Sequence, residues 1–563
     1  MKKLTFAIVI ALASATALSA QSMYDGYTFA QNDYIGSAKS LALGSAVTAV
    51  GGDLGTIGIN PAGSAVAGYS QFTITPGLSL SVGQSAYALS PMDAYGKGSR
   101  TLNPRFALPN MGLTSRFGFY DGGALRSVTF GFVVNTIADH NSLMRTSGLN
   151  SSSSKFAEMA AAATDLGIST QELASSSFYN NPDYSNYWDV ALAYQLGLIS
   201  SYGAGNKYVG CTEILSGMGE HRVPDELMHN SMVSNFGYKS DVIFNMGLNF
   251  NDNFYLGFNI GLPTLDYSRV ENWQELSMVP EKFPVHITYE NGKVQDTYFD
   301  NAAYQYNYDA SMSGYYLKAG FIWTPTKSLR LGLAYQTRTY YDVSETWQHS
   351  GQISYDDGSS YSGSGNEGYY SYSFFSPSIL DAGVAWTFGR RAMLSFDYEL
   401  TSYGRMKFAD HDAYQSSYDY TNTVIRTFSA GSHNFRVGAE VNLNADFALR
   451  AGAGLLISQE LYYAGESDMI CASDYNDDYY LGRKNLDAYT PHHYTDWDDI
   501  CCNLSFGFGY NPAGSFFADF AVRGTRYPVM VYRPYADYAD VYAPEIEMHR
   551  YLINAVATFG WRF

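Results

Sequence analysis

Four cations, Lys318, Arg330, Arg436 and Arg450, stand on the polar side of segments in which apolar and polar residues alternate. A cation so placed would meet a carboxylate entering between such segments through a charge-assisted hydrogen bond. The acids Asp397, Glu399, Glu440 and Asp519 share that side and offer the competing role, mutual neutralisation in a structural network. The four cations are candidate ligand-binding residues with a structural alternative beside them. Other chemistry is thin. The cluster His492, His493, Asp496, Asp498 and Asp499 and the run Asp474, Asp477, Asp478 match neither an EF-hand nor a zinc spacing, so they read as solvated acidic loops and no metal is expected. With no Ser/His/Asp pattern and no Gly-rich phosphate loop, neither an enzyme nor a bound cofactor is expected.

The elements that must position these cations begin with export. Lys2 and Lys3 precede an apolar run from Leu4 to Leu18 that ends in small residues, the pattern of a signal peptide over 1–20. Export to an oxidising compartment gives the cysteines a role. Cys211, Cys471, Cys501 and Cys502 are too few for a disulfide scaffold, and Cys471 is expected to pair with Cys501 or Cys502 across one loop. Without Lys2 and Lys3 the 34 basic residues fall to 32, against 53 acidic ones. That balance argues against nucleic acid or an anionic leaflet as a partner.

Composition then sets the class. The chain of 563 residues is 46% hydrophobic and 15% charged, with 50 Tyr and 33 Phe, yet past the signal peptide no apolar run is long enough to cross a bilayer as a helix. Aromatics collect at membrane interfaces, so these point to a β-barrel with two girdles. The period agrees. Leu329, Leu331, Leu333 and Tyr335 oppose Arg330, Gly332, Ala334, Gln336 and Arg338, and Phe435, Val437, Ala439 and Val441 oppose Arg436, Gly438, Glu440 and Asn442. A soluble sandwich would put Lys, Glu and Thr on its polar face rather than repeated Gly and Asn.

Fourteen such strands are predicted, near 70–83, 110–119, 127–138, 240–251, 253–264, 314–324, 328–340, 379–388, 392–403, 432–443, 447–458, 502–510, 515–526 and 549–563. The even number suits a barrel with both ends in the periplasm, short periplasmic turns and long outer loops. Those loops are expected near 140–239, 265–313, 341–378, 404–431, 459–501 and 527–548. Tyr187 to Ser200 also alternates and is expected to be a strand-like part of the first of them. The last segment ends in Phe563 and resembles the terminal strand signal of bacterial outer-membrane proteins, which implies recognition by the barrel assembly machinery.

Between signal peptide and barrel, residues 21–68 are rich in Ala and Gly and do not alternate. Their apolar content argues against a disordered leader and for a helical plug in the lumen. The AVTAVGGD and INPAG runs ahead of fourteen strands resemble the FadL/TodX family of outer-membrane hydrophobic-compound transporters, Asn60, Pro61 and Ala62 being the sharpest element. The resemblance implies an all-β architecture: a 14-stranded antiparallel transmembrane barrel over 69–563, closed by a hatch to which the Asn-Pro-Ala motif belongs. It further implies an outer-membrane location beside lipopolysaccharide, and passive uptake of a hydrophobic ligand such as a long-chain fatty acid, leaving sideways into the membrane. Some relatives of the fold serve protein secretion, so a surface adaptor in secretion or adhesion is the alternative, and an open porin is a further rival.

Overall fold

The computed structural model describes residues 8–10, 22–89, 93–119, 122–181, 184, 187–203, 206–215, 221–288, 294–411, 418–465, 469–472, 486, 489–537 and 541–563. The expected signal peptide thus lies outside the described residues apart from 8–10, and so do Asp474, Asp477 and Asp478.

Fourteen strands form the wall: β1 (Gln71–Ala88), β2 (Ser99–Gly118), β3 (Leu125–Asp139), β4 (Leu227–Phe250), β5 (Phe254–Ser277), β6 (Val294–Trp323) and β7 (Leu329–Gln336), then β8 (Ile379–Phe388), β9 (Ala392–Ser402), β10 (Gly431–Asn442), β11 (Phe447–Ile457), β12 (Cys501–Tyr510), β13 (Phe516–Arg526) and β14 (Glu545–Arg562). Each pairs antiparallel with its successor, and β14 returns to β1 with Gln71 opposite Arg562. A closed barrel leaves no edge strand.

Closure is reinforced at one rim by hydrogen bonds that run from turn to turn. The Asn251, Thr324, Thr387, Asn442, Asn511 and Arg562 amides donate to the Ala124, Asn253, Ser328, Arg391, Asp446 and Ser515 carbonyls, and Ser70 and Phe563 exchange both their bonds at 3.2 and 3.0 Å. This rim holds the short turns and the carboxyl-terminal end of the wall, so it is the periplasmic one. The outer face above it is apolar, with Leu317, Leu333, Phe396, Phe506 and Phe520 all exposed, and Trp323, Trp386, Tyr510 and Trp561 form a girdle near the turns. An apolar belt on a closed barrel is a lipid-facing surface, and the protein is an integral outer-membrane β-barrel. Among the described residues no helix is long and apolar enough to cross a membrane.

Away from the turns the wall continues as strand well past the expected limits. Of the residues expected in a loop at 265–313, 265–277 belong to β5 and 294–313 to β6, and most of 341–378 is a hairpin of Tyr340–Tyr355 and Ser360–Phe375 stacked above β7 and β8. Above the membrane neither face needs to be apolar, so the period that marks the belt fades while the β-prone Tyr and Thr persist.

The first excursion also differs from expectation. Seven helices are described: α1 (Met23–Ala30), α2 (Ala38–Ala42), α3 (Gly63–Val66), α4 (Lys155–Asp165), α5 (Thr170–Ala174), α6 (Trp188–Leu196) and α7 (Asp419–Phe428). The stretch expected to be strand-like at 187–200 is mostly α6, which ends on Gly197 at φ +78°. Its Ala and Leu residues favour a helix, and packing against α4 and the tall sheet buries Val190, Ala191, Leu192 and Ala193 together. A helix that is apolar all round mimics a two-residue period as readily as any other.

Candidate functional site: the plugged lumen

Residues 22–68 fill the barrel. Nearly every residue from Ser37 to Ala65 is buried, and the plug's backbone bonds to side chains on the inward face of the wall. Asp397 of β9 accepts the Thr48 amide at 2.7 Å, Thr558 of β14 accepts the Ala38 amide at 2.8 Å, and Ser505 of β12 donates to the Ala42 carbonyl at 3.1 Å. Asn259 and Asn245 donate to the Ile57 and Pro61 carbonyls at 2.8 and 3.0 Å. A short segment with almost no regular structure cannot satisfy its own backbone, so the wall's polar face supplies the missing partners.

The Asn60-Pro61-Ala62 turn is one of these seats. Asn60 Nδ2 donates to the Thr48 carbonyl at 2.8 Å within the plug and to the Phe321 carbonyl of β6 at 3.1 Å, while its Oδ1 accepts the Ala62 amide at 3.0 Å. Pro61 fixes its own backbone and holds Asn60 out of the helical region, which keeps that side chain aimed at the wall. The wall yields space where the plug touches it. A Cβ on Gly257 would stand 2.1 Å from the Pro61 carbonyl carbon, one on Gly320 2.3 Å from Asn60 Oδ1, and one on Gly332 2.3 Å from the Thr48 oxygen. The repeated glycines of the polar face are thus plug seats, a role their sequence pattern signals only once a plug is known.

Each candidate cation has partners. Lys318 Nζ donates to the Gly58 carbonyl at 3.0 Å and to Asp381 at 3.1 Å, and Arg330 donates to the Val50 carbonyl at 2.7 Å. Arg436 bridges Asp381 and Glu399, both at 3.0 Å, and Arg450 bridges Glu440 at 2.6 Å and Asp519. Two of the four therefore hold the plug and two cross-brace the wall. Sequence reasoning missed Arg523, which donates to the Asp33 carboxylate and the Tyr34 carbonyl.

Above the plug, toward the outside, α1 lies in an apolar chamber. Met23 and Phe29 pack with Tyr308, Val343, Phe374 and Phe428. Tyr24 donates to Glu460 at 2.9 Å, and Lys239 Nζ caps the helix end at the Phe29 carbonyl at 2.8 Å.

One seam interrupts the wall. The β2–β3 ladder runs only from Asn110↔Asn135 to Gly118↔Ser127, and the upper half of β2 pairs with β1 alone. Beyond Asp139 the chain continues as Ser142–Asn150, still paired with β4 but drawn inward behind β1, where a Cβ on Gly83 would stand 2.3 Å from the Leu143 oxygen. Beside this seam Phe106 of β2 is 71% exposed, and Arg105 stacks over the Phe236 ring at 4.4 Å.

No family model matches the sequence, and no curated relative does. Among solved structures the chain is similar to the Pseudomonas putida toluene transporter TodX, at 13% identity over 94% of this chain and 98% of that one, with a TM-score of 0.44. It is similar also to a Pseudomonas aeruginosa FadL homologue, at 11% identity over 94% and 100% of the two chains and a TM-score of 0.47.

The remaining candidates fall in the outer segments. The expected disulfide is not formed: Cys471 Sγ lies 3.2 Å from the Tyr494 hydroxyl, while Cys501 and Cys502 begin β12 opposite Leu456 and Leu455. Strand pairing fixes the latter two in the wall, away from the separate small sheet that carries Cys471. His493 Nδ1 meets the Ser458 carbonyl at 3.0 Å and Asp498 pairs with Arg526 at 2.7 Å, so the His/Asp cluster is divided among different partners. Among the described residues no group of three or more potential ligands converges on a metal site.

Proposed function

We propose that this barrel is a channel for passive uptake of hydrophobic small molecules, with long-chain fatty acids among its substrates. The observation that carries this reading is the apolar chamber around α1, stacked directly above a plug held by polar bonds. A hydrophobic molecule gains by leaving water for such a chamber, and no energy source is required. The Asn60-Pro61-Ala62 hatch resemblance points the same way. Exit is through the seam between β2 and β3, where the ladder is missing and the neighbouring surface is apolar.

For a carboxylate-bearing substrate, Lys318 and Arg330 are the better luminal contacts. Both donate to plug carbonyls that a moving plug would release, and Lys318 would then keep only Asp381, which it shares with Arg436, whereas Arg436 and Arg450 each retain two wall acids. The test is uptake of a labelled fatty acid into cells or proteoliposomes carrying the barrel, with a neutral aromatic hydrocarbon in parallel. Ion conductance without uptake of either would identify a porin instead, and capture of an exported protein with no uptake would identify an adaptor.

A further inference from the structure

The outward face of the wall carries a second site, unrelated to what the lumen transports. Four residues stand in one cross-strand row: Tyr315↔Tyr340↔Phe375↔Lys407. Their inward neighbours Tyr341, Phe374, Met406 and Phe408 are all buried in the chamber, so the row itself faces the membrane. Arg405 shares the outward side two residues before Lys407, and both are exposed. Arg338, in the three-residue break between β7 and the hairpin above it, lies over the Phe375 ring at 5.2 Å and is close enough to Arg405 to be repelled by it.

The row's height is fixed by β6. Below Tyr315 its outward residues are Leu317, Ala319, Phe321 and Trp323, and above Tyr315 they are Ser313, Ser311 and Asp309. Eight residues separate Tyr315 from the girdle residue Trp323. With strands tilted by roughly 40° that spans about 20 Å, close to the top of an apolar band about 25 Å tall. The row is therefore the outer girdle, and the three cations stand at the level of the outer-leaflet head groups.

Among the described residues no ion pair or side-chain hydrogen bond engages Arg338, Arg405 or Lys407, and Arg338 Nε and Nη2 are buried without a partner. In a chain with 53 acidic residues against 34 basic ones, three adjacent unpaired cations run against the prevailing charge. Holding like charges together beside a guanidinium donor stripped of water is costly unless an anion joins them. We infer that Arg338, Arg405 and Lys407 bind the phosphate of a phosphorylated glycolipid of the lipid A type, whose acyl chains lie along Leu317, Leu333 and Tyr335. Arg338 supplies a planar fork suited to phosphate, and the two flanking cations add field strength.

The test is native mass spectrometry of the intact, detergent-solubilised barrel titrated with diphosphorylated lipid A. A one-to-one adduct is expected for the parent. Each cation near an anionic head group is worth roughly a factor of five, so Arg338→Ala/Arg405→Ala/Lys407→Ala should weaken the adduct by more than about tenfold. Heat-modifiable mobility on gels shows whether the variant has closed. If it has not, Arg405→Ala/Lys407→Ala, which alters only exposed side chains, should show a smaller loss in the same direction. Lipid A without phosphates should bind weakly, millimolar inorganic phosphate should not compete, and Arg390→Ala/Arg391→Ala at the periplasmic rim should bind as the parent does. Undiminished binding by the closed variants, equal binding of the dephosphorylated lipid, or competition by free phosphate would each overturn the lipid site.

Discussion

The Asn60 side chain donates to the backbone carbonyl of Phe321 at 3.1 Å, tying a plug turn to the periplasmic end of wall strand β6. The same amide group reaches the Thr48 carbonyl, so one residue joins two parts of the plug to β6. Replacing Asn60 and Pro61 together by alanine removes both bonds and the one that Asn60 Oδ1 accepts from the Ala62 amide, each worth about 1 kcal/mol net, and frees the backbone at Pro61. The barrel should still insert, because the ladder and Phe563 are untouched. Single-channel conductance should rise and fatty-acid uptake should change at equal outer-membrane abundance. Unchanged conductance and uptake would reduce the motif to a helix terminator, and loss of the folded barrel would give it a structural role instead.

The glycine seats make a complementary test from the wall side. Gly257→Val puts a branched side chain where the Pro61 backbone already lies, and Gly332→Val does so at Thr48. Overpacking of this kind costs about 1–3 kcal/mol, which the plug's contacts rather than the ladder must absorb. Limited proteolysis should then cut within residues 22–68 in the variants and spare that segment in the parent. Equal protection would mean that the seats are not tight.

How far these relations were legible follows from what each residue answers to. The fourteen wall strands could be read because each crosses the same apolar belt and must alternate to do so. Their upper halves could not, since above the belt both faces of β5 and β6 meet protein or water. The α6 segment misled for a related reason: buried on several sides, it shows no polar face to reveal its helical period. Lys318, Arg330, Arg436 and Arg450 face inward because they sit on the polar side of their strands, yet only the paired geometry separates the two that hold plug carbonyls from the two that brace acids alone. Arg338, by contrast, shares the inward side of Arg330 by period within the strand expected over 328–340, but the strand breaks after Gln336 and Arg338 lies instead over the outward Phe375 ring.

Lys318 offers a discrimination between substrates. Lys318→Met keeps an unbranched chain one atom shorter, and Asp381 retains Arg436, so the cost should stay below the roughly 3–5 kcal/mol of a fully orphaned buried charge. Uptake of a labelled fatty acid should fall by more than that of a neutral aromatic hydrocarbon. A parallel fall for both would assign Lys318 to seating the plug alone.

The outer helical cap should respond to pH in a direction set by Glu158 of α4. Burial pushes its carboxyl up to about 8, with Lys155 opposing, and burial raises Asp189 of α6 as well. The folded cap therefore keeps a proton that the unfolded chain gives up above about pH 4.3. Between about pH 4.3 and about pH 8 the unfolded state binds fewer protons, so stability falls as pH rises and levels off above that window. Hydrogen exchange across residues 155–196, corrected for intrinsic rates, should show greater protection at about pH 5 than at about pH 9. Glu158→Gln removes the titrating group while retaining its volume and should flatten most of the dependence. A parent whose cap is better protected at alkaline pH would show that Glu158 is held as a carboxylate, paired with Lys155 in the cap core.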